Sequence, residues 1–199
     1  MASFFREFLA APAITGAVAP SSLDLARLIV QLGARAGDCV VELGPGTGAF
    51  TAELKRAGVI RGPNRYLGLE INGTFVEELT RRFPDWTFVG GSAIDLAQHL
   101  QRQGIESVDC YLSGLPWASL PSDVSRRALD CIQGTLSANG RLVTFAYIQG
   151  FLLKGAWRLR SELRARFDRV RASRVVWNNL PPAFVWVAEA PRPLNDRRV

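Results

Sequence analysis

Three glycines at alternate positions, Gly44, Gly46 and Gly48, follow a short apolar run and precede a segment of helical period. Glycine has no Cβ, so this spacing lets the backbone turn sharply and approach a ligand closely. Glu42 precedes these glycines, and Thr47 lies between the last two. A glycine-rich loop between a strand and a helix is typical of a site that binds a nucleotide-like molecule.

The spacing of the glycines distinguishes two classes of cofactor. Dinucleotide-binding loops have the pattern G-x-G-x-x-G and place a pyrophosphate on the helix N-terminus. Residues 42–48 have the pattern E-x-G-x-G-x-G, which is the version that holds the methionine part of S-adenosylmethionine (SAM). We therefore predict SAM as the cofactor and S-adenosylhomocysteine as its product, with Glu42 orienting the loop or the cofactor's amino group. The loop residues assigned to SAM are Gly44, Gly46, Thr47 and Gly48.

Further cofactor contacts are predicted after the next three apolar runs. An acid that ends the second run is placed to accept both ribose hydroxyl protons. The residues after the third run should frame the adenine, although many methyltransferases carry an acid where this chain has serine. The residues after the fourth run should lie where the methyl group meets the substrate's nucleophile. In chain order these assignments are Glu70, Ile71, Ser92, Ala93, Ser113, Gly114 and Leu115.

The segment after the fourth run differs from that of adenine N6-methyltransferases. Those enzymes have Asn or Asp, then Pro-Pro or Leu-Pro and an aromatic residue, because the exocyclic amine needs an acceptor and the base needs a stacking ring. This chain has the aromatic Trp117, but Ser113 replaces the amide. A similar string, NLPP, occupies residues 179–182, far along the chain. We assign Trp117 and Asn179 to the substrate.

Tyr147 is the candidate catalytic residue because it ends the fifth apolar run. At the edge of a sheet beside the cofactor, its hydroxyl could bind an amine or help to deprotonate it. Its ring, with that of Trp117, could face a methylated cation. Tyrosines at strand ends are also commonly structural, so both roles stay open. His99, the only histidine, lies in a polar helical stretch and is predicted to be exposed, and no metal site is predicted.

The elements that would position these residues alternate along the chain. Continuous apolar strands separated by helices indicate a parallel sheet covered on both faces. The last two runs are joined by only a few residues, so we expect them to pair as an antiparallel hairpin. This predicts an α/β, Rossmann-like methyltransferase fold with a mostly parallel seven-stranded sheet. The predicted strands are 39–43, 66–71, 86–90, 108–113, 141–146, 174–178 and 184–188, and the clearest helices are 74–83 and 123–136.

Three regions are predicted along the chain. Residues 1–36 form amphipathic helices that act as a substrate lid and membrane contact, residues 37–190 form the SAM-binding domain, and residues 191–199 form a flexible tail. The first helix, over residues 2–11, places aromatic side chains on one side, which either pack on the domain or enter a bilayer interface. A second helix begins after Ser21 or Ser22 and stops at Gly33, with Leu25, Leu28, Ile29 and Leu32 buried.

Composition and charge restrict the partners. The chain has 199 residues with 48% hydrophobic positions, which is enough for one domain with a substantial core. It has no long apolar run and no secretory signal, so we expect a cytoplasmic protein with its three cysteines reduced. The net charge of +6 favours an anionic partner. The basic segment 154–174 is predicted to be helical, either as a solvated cover of the sheet or as a surface for anionic head groups.

The motifs together resemble those of the bacterial soluble phosphatidylethanolamine N-methyltransferases and the related ornithine lipid methyltransferases. The likeness covers nearly the whole chain. Two positions depart from the pattern, namely Ser92, where an acid is common, and Asn178, where we expect Arg. The motifs that carry the resemblance are TGAVAPSS (15–22), ELGPGTGAFT (42–51), SGLPW (113–117), the end of the fifth strand (145–147) and NLPPAFVW (179–186).

The resemblance implies stepwise methyl transfer from SAM to a lipid amine, in phosphatidylethanolamine and its mono- and dimethyl forms. It also implies attachment to the inner face of the cell membrane. We expect an anionic phospholipid surface as the partner, through Phe4, Phe5, Phe8 and basic residues, and no nucleic acid. Two alternatives stay open. One is an rRNA adenine N6-dimethyltransferase, which would normally need an additional helical domain, and the other is a non-catalytic SAM-binding membrane scaffold.

Overall fold

A seven-stranded sheet with the order β3-β2-β1-β4-β5-β7-β6 is the centre of the molecule. The structure is a computed structural model that describes residues 21–62, 64–152 and 154–193. The strands are β1 (Val40–Leu43), β2 (Tyr66–Glu70), β3 (Thr87–Gly90), β4 (Val108–Ser113), β5 (Leu136–Tyr147), β6 (Phe167–Ala172) and β7 (Ala183–Pro191). The helices are α1 (Leu23–Gly33), α2 (Ala49–Ala57), α3 (Gly73–Arg82), α4 (Leu96–Arg102), α5 (Ser122–Thr135) and α6 (Lys154–Arg166), with 3-10 turns at Ala93–Asp95 and Ile148–Leu152.

Strands β1 to β5 pair in parallel, and β7 pairs antiparallel with both β5 and β6. This arrangement confirms the predicted fold class, a mostly parallel sheet that ends in an antiparallel pair. Because the parallel strands all run in one direction, their carboxyl ends lie at a single edge of the sheet, which we call the cofactor edge.

Helices cover both faces of the sheet. Helices α1, α2 and α3 pack on one face, where Leu25, Leu54 and Leu79 contact a core that includes Val40 and Val143. Helices α4, α5 and α6 pack on the other face. The strands are therefore apolar on both sides, which explains why their sequences are continuous apolar runs rather than alternating ones.

Helix α1 confirms the predicted second helix. Ser22 caps it by accepting a hydrogen bond from the Leu25 amide, and it ends at Gly33. Leu25 and Ile29 are fully buried, whereas Leu28 and Leu32 are half-buried. The helix is part of the sheet's cover.

The last pair of strands corrects two predictions. The strand expected at 174–178 lies at Phe167–Ala172, and the helix expected over 154–174 ends at Arg166. Phe167 is buried, while most of β6 is exposed. The charged side chains of β6 suit a strand at the edge of a sheet. Residues 173–182 therefore form a longer connection, closed by a bridge between Val176 and Ala183.

The ends of the chain are described only in part. The predicted helix over residues 2–11, with Phe4, Phe5 and Phe8, lies outside the described residues. At the other end, Pro191 belongs to β7 and the Arg192 amide donates to the Arg166 carbonyl over 2.8 Å, while residues 194–199 of the predicted tail lie outside the described residues. Among the described residues, no helix is long and apolar enough to cross a bilayer.

Candidate functional site

The glycine loop leaves β1 and enters α2 in a left-handed conformation at each of its glycines. Gly44, Gly46 and Gly48 have φ values of 68°, 56° and 82°, a region that side chains with a Cβ rarely adopt. The Gly44 amide donates to the Leu69 carbonyl over 2.8 Å. A Cβ on Gly46 would meet nothing within 4 Å, so the loop is open to a ligand on that side.

Glu70 lies against this loop, as the position of β2 predicts. Its carboxylate accepts hydrogen bonds from the amides of Gly46 and Asn72, each over 2.9 Å. The residue is 5% exposed, so these bonds fix the carboxylate at the cofactor edge. Each carboxylate oxygen has a further lone pair, which suits it to accept two hydroxyl protons. Ile71 follows and is half-buried.

Glu42 is fully buried beneath the loop. One oxygen, Oε2, accepts hydrogen bonds from the Tyr66 hydroxyl over 2.7 Å and from the Thr51 hydroxyl over 2.9 Å. The other, Oε1, is buried with no hydrogen-bond partner among the described residues. Burial raises the pKa of Glu42 to about 7, although both hydroxyl groups act to lower it. This network ties α2 and β2 to β1 beneath the glycine loop. The predicted role of Glu42 in orienting the loop or the cofactor's amino group stays a prediction.

The segment after β4 meets the glycine loop backbone to backbone. The Gly114 amide donates to the Leu43 carbonyl over 2.8 Å, and a Cβ on Gly114 would lie 2.6 Å from the Gly44 carbonyl oxygen. Leu115 lies on the other side, where a Cβ on Gly44 would be 3.2 Å from its Cδ2. Gly114 is therefore required for the two loops to close on each other.

Ser113 and Trp117 have structural contacts that differ from their predicted roles. The Ser113 hydroxyl accepts from the Trp117 indole N–H over 3.0 Å and from the Leu115 amide over 3.3 Å. Trp117 is 2% exposed and belongs to the apolar core. Its ring has no open face for a substrate cation, so the predicted substrate contact is corrected to packing that holds the loop.

The predicted adenine residues follow β3. Ser92 caps the 3-10 turn by accepting from the Ile94 amide over 3.4 Å, and Ala93 begins that turn. His99 is half-buried rather than exposed, which corrects the prediction. A Cβ on Gly91 would lie 2.2 Å from its Nε2, so the imidazole packs directly on Gly91.

Tyr147 lies at the end of β5 on the cofactor edge. Its ring contacts that of Phe145, and Phe145 contacts Phe50 in the first turn of α2, with centroids 5.4 Å and 6.0 Å apart. This aromatic row connects Tyr147 to the helix that follows the glycine loop. Burial raises the pKa of Tyr147 above its ordinary value. The phenol therefore keeps its proton near neutral pH and is poorly suited to act as a base.

Asn179 is buried and uses its amide within the protein. Its Oδ1 accepts from the Ser22 amide over 2.9 Å, and its Nδ2 donates to the Pro181 carbonyl over 2.7 Å. The side chain thus joins the start of α1 to the connection before β7. We correct its predicted substrate contact to a structural tie at the cofactor edge.

Four functional neighbours were missed from the sequence. Thr51 and Tyr66 bind Glu42, the Asn72 amide binds Glu70, and the Arg82 guanidinium donates to the Thr47 carbonyl over 2.8 Å. The one available signal in the sequence was an acid, Glu42, inside an apolar run with no basic residue near it in the chain. An acid that such a run buries needs hydrogen-bond donors from elsewhere.

These features suit SAM as the ligand of the loop. The positive-φ glycines bring bare backbone to the site, Glu70 is fixed beside Gly46, and the orphan oxygen of Glu42 lacks a donor. A cationic, hydroxyl-bearing ligand supplies the complementary groups. No group of metal-ligating side chains occurs in the described part of the chain.

Comparison with known proteins gives a relative over most of the chain. The chain is 32% identical, over 186 residues, to the ornithine lipid N-methyltransferase of Singulisphaera acidiphila, covering 90% of this chain and 91% of the relative. No protein-family model matches.

Two solved structures share the fold. A putative rRNA methylase from Clostridium thermocellum matches with a TM-score of 0.64 and 18% identity, covering 88% of this chain and 99% of that one. A TehB-like SAM-dependent methyltransferase from Corynebacterium glutamicum matches with a TM-score of 0.61 and 17% identity, covering 95% of this chain and 97% of that one. At these identities the two structures support the fold alone.

Proposed function

Because the chain belongs to the family of the ornithine lipid N-methyltransferase of Singulisphaera acidiphila, we propose that it methylates the head-group amine of a membrane lipid. The protein is a SAM-dependent methyltransferase, with S-adenosylhomocysteine as product. The observation that carries the lipid substrate is the 32% identity over 90% of the chain. The head groups proposed are phosphatidylethanolamine with its mono- and dimethyl forms, and the amine of an ornithine lipid.

The residues at the cofactor edge have separate tasks in this proposal. Glu70 and the glycine loop hold the cofactor, which when bound supplies an electrophilic methyl group on a sulfonium. Gly114 and Leu115 close the loop from the side of β4. Methyl transfer is an in-line displacement, so the protein has chiefly to align an uncharged amine. Tyr147 keeps its phenolic proton, and we assign it to orienting the amine by hydrogen bonding rather than to removing the amine's proton.

The rRNA adenine methyltransferase is the weaker alternative. The pattern for an exocyclic amine requires an amide or acid after β4, and the hydroxyl of Ser113 is already used by Trp117 and Leu115. The relative that spans the chain is a lipid enzyme by name, whereas the rRNA methylase shares only the fold. We accordingly propose no nucleic-acid substrate.

The proposed place of action is the inner face of the cell membrane. The support is a net charge of +6, which favours anionic lipid, and the lipid substrate itself. Phe4, Phe5 and Phe8, predicted to contact the bilayer, lie outside the described residues.

Methyl transfer to defined substrates tests the function. Purified protein and labelled SAM are incubated with vesicles containing phosphatidylethanolamine, vesicles containing ornithine lipid, or undermethylated ribosomal RNA, and the products are identified by mass spectrometry. We expect methylated amine in lipid. Glu70→Ala should lose the activity, while Glu77→Ala, a change at an exposed site on α3, serves as the control. Label in RNA alone overturns the proposal, and SAM binding without any methyl transfer favours the scaffold.

A further inference from the structure

The large apolar side chains that are exposed in the described residues lie at one edge of the molecule. Leu23, Trp157, Trp177 and Leu180 are 70%, 56%, 71% and 78% exposed. Leu23 begins α1, Trp157 lies in the first turn of α6 after β5, and the other two lie between β6 and β7. Each of these segments lies at the cofactor edge, where β5 ends and β7 begins with Tyr147 opposite Ala183.

Three of these side chains form one surface, which we call the Trp177 patch: Leu23, Trp177 and Leu180. Hydrogen bonds between their neighbours hold the two segments together. The Ser22 amide donates to the Asn179 side chain over 2.9 Å, and the Asn178 side chain donates to Asp24 over 3.1 Å. Trp157 is on α6, which packs on the opposite face of the sheet, and is not part of the patch.

The patch is held in its exposed position by buried residues. Val176 is 8% exposed and Asn179 is 3% exposed, directly beside Trp177 and Leu180. The Val176 amide donates to the Ala183 carbonyl over 2.7 Å, which ties this connection to the first residue of β7. A group of neighbouring exposed apolar side chains on well-anchored segments, unlike single scattered ones, indicates a contact surface.

The composition of the patch suits a lipid interface. Tryptophan is enriched where an apolar layer meets water, because its ring is apolar and its N–H is polar. Arg27 follows Leu23 by one turn of α1 and pairs with Asp24 over 3.8 Å, while Arg174 precedes Trp177. Both arginines are exposed, and with Asp24 these three side chains carry a net charge of +1. Arginines beside exposed apolar side chains complement anionic head groups, at about 1 kcal/mol for each basic residue near the surface.

We propose that the Trp177 patch docks the cofactor edge on the surface of an anionic lipid bilayer. The choice of a lipid bilayer as the partner of this patch rests on the proposed function, because a head-group amine can reach the glycine loop only if this edge faces the membrane. The patch would enter the interface while the loop between β1 and α2 faces the head groups. No residue of the patch is part of the SAM site described above.

Binding to vesicles that contain no primary amine tests the docking separately from the chemistry. The probe is sedimentation with vesicles of phosphatidylglycerol and phosphatidylcholine, using the full chain. The double variant Trp177→Ala with Leu180→Ser should bind about tenfold more weakly or worse, because burying these two side chains contributes at least that factor. Trp157→Ala is the matched control, since it removes an exposed tryptophan from the same edge outside the patch.

A second measurement separates the possible outcomes. Methylation of a short-chain aminolipid, dissolved as monomers, should be unchanged in the double variant. Wild-type vesicle binding by the double variant overturns the proposal and favours residues 1–20 or another protein as the occupant. Equal losses in the double variant and in Trp157→Ala, or loss of activity on the monomeric lipid, also overturn it. Vesicle binding that depends on the patch, without methylation of any aminolipid, contradicts the proposed function but leaves the docking in place.

Discussion

Glu42 and Glu70 are both buried carboxylates next to the glycine loop, but their partners differ. Glu70 accepts two backbone amides at the cofactor edge, whereas Glu42 accepts two side-chain hydroxyls beneath it. We therefore expect Glu70 to contribute mainly to SAM binding and Glu42 mainly to the stability of the fold. One substitution at each residue tests this difference.

Replacement of Glu70 by Ala should weaken SAM binding by about tenfold to a hundredfold, the range for loss of hydrogen bonds to a charged group. The loss has two causes, since the ribose loses its acceptor and the Gly46 amide loses the partner that positions it. Isothermal titration calorimetry measures the effect, with Glu77→Ala as an exposed control. Unchanged affinity in Glu70→Ala would refute the ribose role.

Replacement of Glu42 by Gln should change how stability depends on pH. The folded protein holds the Glu42 proton up to a pKa of about 7, while the ordinary value is 4.5. Between these values the unfolded chain binds fewer protons, so the wild-type free energy of unfolding should fall as pH rises, by roughly 3 kcal/mol. Urea unfolding from pH 4.5 to 7 measures this. The same fall in Glu42→Gln would assign it to other groups.

Replacement of Tyr147 by Phe tests the orienting role. We expect turnover to fall by about tenfold, because the loss of one hydrogen bond raises the activation free energy by about 1 kcal/mol or more. SAM affinity should change little. The aromatic contact with Phe145 is kept by the new ring. Tyr111→Phe is the control, because its hydroxyl contacts Thr135 in the core over 2.6 Å. Wild-type turnover in Tyr147→Phe would remove this hydroxyl from the mechanism.

At the scale of elements, the site depends on how closely the loops after β1 and β4 approach each other. Gly114 lies against the Gly44 carbonyl, and neither partner can move aside as a flexible side chain would. The sequence motif around Ser113 suggested substrate chemistry, but the contacts show that much of this segment holds the loop in place.

Replacement of Gly114 by Ala should separate these loops and weaken SAM binding. The new Cβ would lie 2.6 Å from a backbone oxygen, a distance that requires backbone movement. Gly73→Ala is the matched control, because a Cβ at this position on α3 would meet nothing within 4 Å. Calorimetry should show a lower SAM affinity for Gly114→Ala only, and equal affinities would contradict the close packing of the two loops.

At the scale of the whole molecule, the cofactor site and the exposed apolar side chains share one edge of the sheet. Helix α1 begins beside Asn179 at that edge, and residues 1–20, which precede it in the chain, lie outside the described residues. The prediction that residues 1–9 contact a bilayer can therefore be tested against the Trp177 patch.

Deletion of residues 1–9 should reduce sedimentation with anionic vesicles and leave SAM binding unchanged. The reason is that the residues predicted to bind the cofactor all lie between Glu42 and Leu115, on a sheet with its own two cores. Sedimentation and calorimetry on the same preparation measure both properties. Full vesicle binding after the deletion would show that the aromatic segment only packs on the protein.

The sequence alone determined the alternation of strands and helices, the cofactor class and the place of Glu70. These follow from local signals, namely apolar runs, glycines that need positive φ and an acid at a strand end. The strand at Phe167–Ala172 was missed because its side chains are mostly charged, and an edge strand does not need an apolar run.

The tertiary structure decided which polar side chains remain available to a ligand. Asn179 and Trp117 were assigned to the substrate and Ser113 to the cofactor. The Asn179 side chain instead binds the distant Ser22 amide, and Ser113 and Trp117 bind each other in the core. The structure likewise revealed that Leu23 and Trp177, more than a hundred residues apart, share a surface. A sequence records which groups can form hydrogen bonds or bury apolar area. Only the folded chain determines which of those groups have already found their partners, because partners are brought together by contacts between distant segments.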